Sequence, residues 1–342
     1  MNESTLRAHL LAGQVIPAHP LALTANRQLD ERRQRALTRY YLASGAGGVA
    51  VGVHTTQFAI RSHGMLQPVL ALAAETVRRE ATAPCALIAG AVGDTVQAMH
   101  DARLAADAGY DAVLLSLGAL RDASDAALLA HCREVATVLP LFGFYLQPAV
   151  GGRVLSEAFW RALAGLERLV AIKIAPFNRY RTLDVVRAVA QAGRDDVALY
   201  TGNDDSILLD LLTPVPTSRG SRRMVGGLLG QWAVWTSRAV AMLREVQAMG
   251  DAPVVDATWL RQAAALTDAN AAVFDAANDF AGCIAGIHEV LRLQGLLAGT
   301  WCLDSAEQLS PGQREAIARV HTAYPELTDD AWVAERLDGW LK

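Results

Sequence analysis

Cysteine is scarce. The 342 residues include four, Cys85, Cys132, Cys283 and Cys302, widely spaced and without a C-x-x-C pair. Zinc-ribbon and dithiol redox motifs are thereby excluded, and structural thiols remain. A surplus of one charge is also missing. The formal charge is −4 with 19% charged residues, and no zinc-finger or basic-helix pattern occurs, so no nucleic-acid partner is expected. No apolar run reaches the roughly 18 residues of a membrane span. The opening MNESTLRAHLLAGQVIP has neither a basic start nor a long apolar stretch ending in a cleavage site. A cytoplasmic protein without a membrane partner is expected. No G-x-G-x-x-G follows a strand candidate, which weakens a dinucleotide-binding reading.

What is present is apolar and periodic. Apolar residues make up 52% of the chain, enough for a large core. Short apolar runs at 15–23, 47–55, 84–92, 111–117, 139–146, 169–176, 197–203 and 224–230 alternate with helical patterns. The clearest helix is 124–139. Ser124 stands at its N-cap, and Leu128, Cys132, Val135 and Leu139 recur at helical spacing. Eight β-then-α units predict an α/β fold, a (β/α)₈ TIM barrel over 1–250. Beyond GDAPVVDA the chain reads as helix only, a C-terminal helical region over 251–342 at roughly 255–280, 283–297, 310–323 and 329–340. TPVPTSRGSRR, 213–223, reads as a loop between the seventh and eighth units.

Within LVAIKIAPFNR, 169–179, Lys173 interrupts an otherwise apolar strand. A buried ammonium is costly unless it is paired or loses its proton. Two readings compete: a lysine whose stem packs while its head reaches water or a carboxylate, and a neutral amine kept for attack on a carbonyl. In a (β/α)₈ barrel the chemistry gathers at the C-terminal ends of the strands. There the sequence places His19, His54, Thr55, Thr56, Tyr145, Asn203, Asp204 and Asp205 with Lys173. An amine, a phenol and hydroxyls suit carbonyl chemistry.

FYLQPAVGGRVL, 144–155, and VAIKIA, 170–175, resemble adjacent signatures of the dihydrodipicolinate synthase and N-acetylneuraminate lyase family: Tyr-x-x-Pro closing strand five, a small-residue loop, then the Schiff-base lysine on strand six. Lys173 follows Tyr145 by 28 residues, the family spacing. Further resemblances lie in GAGGVAVGVHTTQ (45–57), 89–115, YTGNDD (200–205) and GIHEVLRLQGLL (286–297), so likeness covers nearly the whole chain. It implies a lyase of the class I aldolase type, an aldolase or dehydratase acting on pyruvate or a sugar-derived 2-oxo acid. Lys173 would form the imine and Tyr145 would shuttle protons. Thr55 and Thr56 would hold the substrate carboxylate. No cofactor and no metal is implied, and a homotetramer built as a pair of dimers is.

The pattern departs from the family at three places. VHTTQ lacks the Gly and Glu that follow the family's threonine pair, so His54 with Thr55 is the alternative carboxylate pair. SLGAL, 116–120, carries no tyrosine where the synthase branch has one, which argues against a dihydrodipicolinate synthase itself. The 213–223 insert has no family counterpart. His54 is a candidate replacement acid–base group or a structural histidine, and His19 is read as structural. Arg153, with Arg179 and Arg181, meets an anionic substrate tail or lies in a solvated loop. Gly202 permits close backbone approach beside the substrate. Asp204 and Asp205 are expected to cap the next helix. Two other functions stay open, a non-catalytic binding or assembly barrel that keeps the lysine and, disfavoured for want of ligand spacing, a metal-dependent barrel enzyme.

Overall fold

A computed structural model describes residues 1–250, 252 and 254–342. It contains the eight expected strands, each within its expected run but shorter. They are β1 (Val15–Pro17), β2 (Gly48–Val51), β3 (Ala86–Ala91), β4 (Ala112–Leu115), β5 (Leu141–Leu146), β6 (Leu169–Ala175), β7 (Ala198–Thr201) and β8 (Gly226–Leu229). They form one sheet in the order β1-β8-β7-β6-β5-β4-β3-β2. This is a (β/α)₈ barrel with C-terminal helices.

The chain divides into two compact units, the first made of residues 1–14 and 86–228. Here β3 to β8 alternate with helices whose starts are set by side-chain caps. Asp94, Ser124, Ser156 and Asn178 accept the backbone N–H of Gln97, Ala127, Phe159 and Arg181, each meeting one of the donors a helix start leaves open. The helix begun at Ser124 ends at Ala136 rather than 139, where Thr137 N and Val138 N donate to Glu134 O and Val135 O in a tighter last turn. The helix Glu3–Leu11 covers the starts of β6 and β7. Arg7 Nη1 donates to Leu169 O at 2.9 Å, and Tyr200 Oη donates to Leu10 O at 2.8 Å. The insert expected to be a loop is an antiparallel hairpin, Val215–Thr217 with Gly220–Arg222. Gly220 takes the positive φ, +101°, that so tight a turn requires.

The second unit comprises residues 15–85 and 229–342. β1 and β2 meet through a parallel bridge between Ala18 and Ala50. The tail is helical, as expected: Ala257–Val273, Cys283–Leu293, Gln313–Ala323, Asp330–Ala334 and Leu337–Trp340. Asp329 anchors it. This buried carboxylate accepts from Tyr40 Oη (2.9 Å), Ser237 N (3.1 Å), Ser237 Oγ (2.9 Å) and Gln294 Nε2 (2.8 Å), and burial holds its pKa above the usual carboxylate range despite these donors. Asp251 and Pro253, at the expected start of this region, lie outside the described residues. All four cysteines are buried, and none forms a disulfide among the described residues. Among the described residues no helix is long and apolar enough to cross a membrane.

Candidate active site at Lys173

Every residue of β6 is buried, and Lys173 itself is 8% exposed. β6 runs parallel to β5 and β7, where Lys173 pairs in register with Phe144 and with Tyr200. Residues paired in parallel strands point to the same face of the sheet. Lys173 therefore shares its face with the aromatic rings of β5 and β7. Its Nζ stands over the Phe144 ring, 4.6 Å from the centroid. One layer along, Phe142 packs edge-on against Tyr200, with centroids 5.3 Å apart. The lysine stem passes Gly202. A Cβ there would lie 2.7 Å from Lys173 Cε and 2.8 Å from Ala175 Cβ. The expectation of close approach at Gly202 is met, but by the lysine.

Tyr145, expected to shuttle protons at Lys173, is not the residue in register with it. The β5–β6 register slips by one residue between Leu141 and Phe142. Leu141 pairs with Leu169, 28 residues on, whereas Phe144 pairs with Lys173, 29 on, and Tyr145 pairs with Ile174. A one-residue slip moves every side chain beyond it to the other face. Tyr145 thus packs beneath the helix Glu157–Ala164, its ring 5.1 Å from that of Trp160. Its hydroxyl is held by the Leu155 backbone, which it reaches as donor to the carbonyl at 3.3 Å and as acceptor from the N–H at 3.2 Å. Burial raises the phenol's pKa, against a smaller opposite effect from Leu155. The Tyr145 hydroxyl is thus engaged by the Leu155 backbone.

Arg153 is likewise occupied. Its Nη1 donates to Leu120 O and, at 3.0 Å, to Ala123 O, tying the loop after β5 to the loop after β4. These loops touch closely. A Cβ at Gly118 would fall 2.4 Å from Gly151 O, so the tyrosine-free SLGAL stretch has no room for a side chain at 118. Nη1 thus clamps the two loops, while the buried Arg153 Nε has no hydrogen-bond partner among the described residues. Arg179 is also engaged. It pairs with Asp210, whose carboxylate accepts from Thr201 Oγ1 at 2.6 Å and Asn203 Nδ2 at 2.9 Å. Asn203 Oδ1 in turn takes the N–H of Phe177 at 3.0 Å. Phe177 has a φ of +49°, so this bond holds a strained turn just beyond β6. The next helix, Ile207–Leu212, is preceded by Ser206 at its N-cap, not by Asp204 or Asp205 as expected.

In the second unit, His54, Thr55 and Thr56 form a short 3₁₀ turn after β2. Thr55 Oγ1 donates to Ala18 O at 2.7 Å. Thr56 Oγ1 donates to His19 O at 2.7 Å and accepts from Gly52 N at 3.0 Å. Both hydroxyl protons are engaged with the exit of β1, so the pair is a staple rather than two open donors for a carboxylate. His54 packs edge-on against Phe58, with centroids 5.8 Å apart. His19 is structural, as read from the sequence. Its ring nitrogens lie 2.9 Å from Pro20 O and from Thr38 Oγ1, and burial lowers its pKa to about 4.

Sequence reasoning missed Phe144 and the Asn203–Asp210 network. The signal for Phe144 was strand parity. In LFGFYL, Phe142 and Phe144 fall on one face and Gly143 and Tyr145 on the other, and the helix that follows β5 carries Phe159, Trp160 and Leu163 to meet the second set. Among the described residues no cluster of three or more His, Cys, Asp or Glu side chains is placed to hold a metal.

A sequence model described as the dihydrodipicolinate synthetase family matches residues 12–216. No curated protein matches the chain. Solved structures share its fold. YagE, a prophage protein of the dihydrodipicolinic acid synthase family from E. coli K12 in complex with pyruvate, is 20% identical with a TM-score of 0.74, over 92% of this chain and 98% of that one. The lysine-bound DHDPS of Cyanidioschyzon merolae is 20% identical with a TM-score of 0.75, over 93% and 99%. CdNal from Clostridium difficile, in complex with mannosamine, is 16% identical with a TM-score of 0.72, over 91% and 99%.

Proposed function

The chain belongs to the dihydrodipicolinate synthetase family and is a lyase of the class I aldolase type; we propose that it acts on pyruvate or another 2-oxo acid through an imine on Lys173. One observation carries this reading. A single amine, 8% exposed, stands at the centre of an otherwise apolar strand and points along a face lined by Phe144 and Tyr200. The pyruvate bound in YagE supports the choice of ligand class.

The chemistry follows from the amine. Neutral Nζ adds to the keto carbon, a proton taken up from solvent lets the carbonyl oxygen leave as water, and a protonated imine remains. Its nitrogen then accepts the electron pair of a bond at the neighbouring carbon. Loss of a proton there gives an enamine, and scission of a carbon–carbon bond there completes an aldol cleavage. Tyr145 is not assigned the proton transfers, because its hydroxyl is held on the opposite face by Leu155.

The test is covalent capture. The protein is incubated with pyruvate, reduced with borohydride and digested, and the modified peptide is located by mass spectrometry. The expected result is one adduct on Lys173, absent from Lys173→Ala. Absence of an adduct with pyruvate and with longer 2-oxo acids would return the chain to the reading of a barrel that binds without catalysis.

A further inference from the structure

We propose that Phe144 is a positioning residue whose ring face holds the cationic nitrogen of the Lys173 iminium, so that the imine persists while proton transfer at the neighbouring carbon is slow. This rests on the assignment of the imine to Lys173. Three observations carry the step beyond it. The Phe144 ring lies 4.6 Å below Nζ, well within the distance at which an aromatic face attracts a cation. Phe144 is 5% exposed and Lys173 8%, so the attraction acts with little water between the partners. The slip at Leu141 puts this ring, and not the adjacent phenol, in register with the lysine.

The ring discriminates among the steps. Condensation of the neutral amine with a ketone takes up one proton from solvent, releases one water and leaves a positive charge on nitrogen. Conversion to the enamine removes a proton from the neighbouring carbon, gives it to a base, and returns the nitrogen to neutrality. A π-face stabilises the first product and not the second. A phenyl ring also has no proton to give or take. The position facing the amine therefore favours imine formation and contributes nothing to acid–base transfer.

Two readouts separate these effects without knowledge of the natural substrate. The first is the fraction of Lys173 trapped by borohydride at subsaturating pyruvate. The second is the rate at which the pyruvate methyl group exchanges protons for deuterium in heavy water, followed by NMR. Phe144→Leu, apolar but without a π-face, should trap several-fold less, up to about 30-fold for a desolvated cation–π contact. Phe144→Tyr restores the face and adds a hydroxyl. It should trap like the wild type and exchange about 10²-fold faster, the low side of what a placed acid–base group contributes. Tyr145→Phe should leave both readouts at wild-type values.

The failures are distinguishable. No adduct in the wild type overturns the assignment of Lys173 and this inference with it. A wild-type adduct together with undiminished trapping in folded Phe144→Leu, checked by its thermal unfolding, overturns the role of Phe144 alone. So does loss of exchange in Tyr145→Phe, which would make the outward phenol the proton carrier.

Discussion

Gly202→Ala tests how closely the site is built around the lysine. An added methyl would lie 2.7 Å from Lys173 Cε, 3.0 Å from Lys173 Cγ and 2.8 Å from Ala175 Cβ. Carbon atoms pack at about 3.5–4.0 Å, so the new group is about 1 Å too close on two sides. The lysine stem is flexible and can swing away. Ala175 Cβ is fixed to the backbone of β6 and moves only if the strand moves. Overpacking of this kind costs about 1–3 kcal/mol. Displacement of the amine by about 1 Å should slow imine formation on the order of 10²-fold. The time course of borohydride trapping measures the rate, and urea unfolding measures the stability. The double variant Gly202→Ala, Ala175→Gly removes the contact that cannot relax and should recover most of the rate, though not the stability lost by adding a strand glycine. Wild-type trapping and an unchanged unfolding midpoint in Gly202→Ala would refute the placement of Lys173 against this backbone.

Other outcomes follow from the same geometry. His19 and His288 are both buried, with pKa values pushed down to about 4 from 6.5. The folded state thus binds fewer protons than the unfolded one below pH 6.5. Stability is full above that pH and falls as the medium is acidified towards 4, by about 2 kcal/mol for each group at pH 5. Urea titrations giving equal unfolding free energies at pH 7 and pH 5 would contradict this. Thr56→Val keeps the side chain's shape but strips the partner from Gly52 N–H and His19 C=O, and should cost about 1–3 kcal/mol in the same assay. Arg222 pins the 215–222 hairpin through Asp195 Oδ1 at 2.9 Å and Val197 O at 2.9 Å. Arg222→Ala should therefore speed cleavage within 213–223 in limited proteolysis while leaving the trapped adduct unchanged, and cleavage at the wild-type rate would show the hairpin to be held by other means.

The barrel was legible because its signals are local and repeated. Each strand is a short apolar run buried on both faces, and five of the intervening helices start at a side-chain cap. Boundaries were less legible. The helix after Ser124 stops at Ala136 although Leu139 continues its spacing, because the chain tightens there into i→i+3 bonds at Thr137 and Val138. The 213–223 hairpin was hidden by its composition. Proline, serine and arginine are loop residues, and here the pairing is fixed by Arg222 reaching a distant turn at 194–197, which no local pattern announces. The hydroxyls of Thr55 and Thr56 raised a similar difficulty. Two adjacent threonines after a strand look open to a ligand, and only the fold shows that the carbonyls of Ala18 and His19 already take their protons.

The site turned on a subtler matter, the difference between spacing and register. Tyr145 and Lys173 are 28 residues apart, and an unbroken 28-residue register would set them side by side. Leu141 with Leu169 keeps that register, so the start of the pairing gives no warning. The irregularity between Leu141 and Phe142 then adds one residue, and alternation carries the phenol to the helix side and the phenyl to the lysine side. Packing on the helix side favours the outcome. Tyr145 buries its ring against Trp160 and completes two hydrogen bonds with Leu155, whereas Gly143, on the same face, lets the helix approach: a Cβ there would lie 3.3–3.5 Å from Ile172, Leu163 and Leu169. Restoring the unbroken register would put the small Gly143 and the large Tyr145 on the lysine face and drive Phe142 and Phe144 into the space now fitted to a glycine. The slip is therefore held by side-chain volume on both faces of β5. A variant that exchanges the volumes, Gly143→Ala with Tyr145→Ala, should lose several kcal/mol, because it crowds one contact and empties another. Near-wild-type stability in that variant would show that the register rests on something other than the packing described.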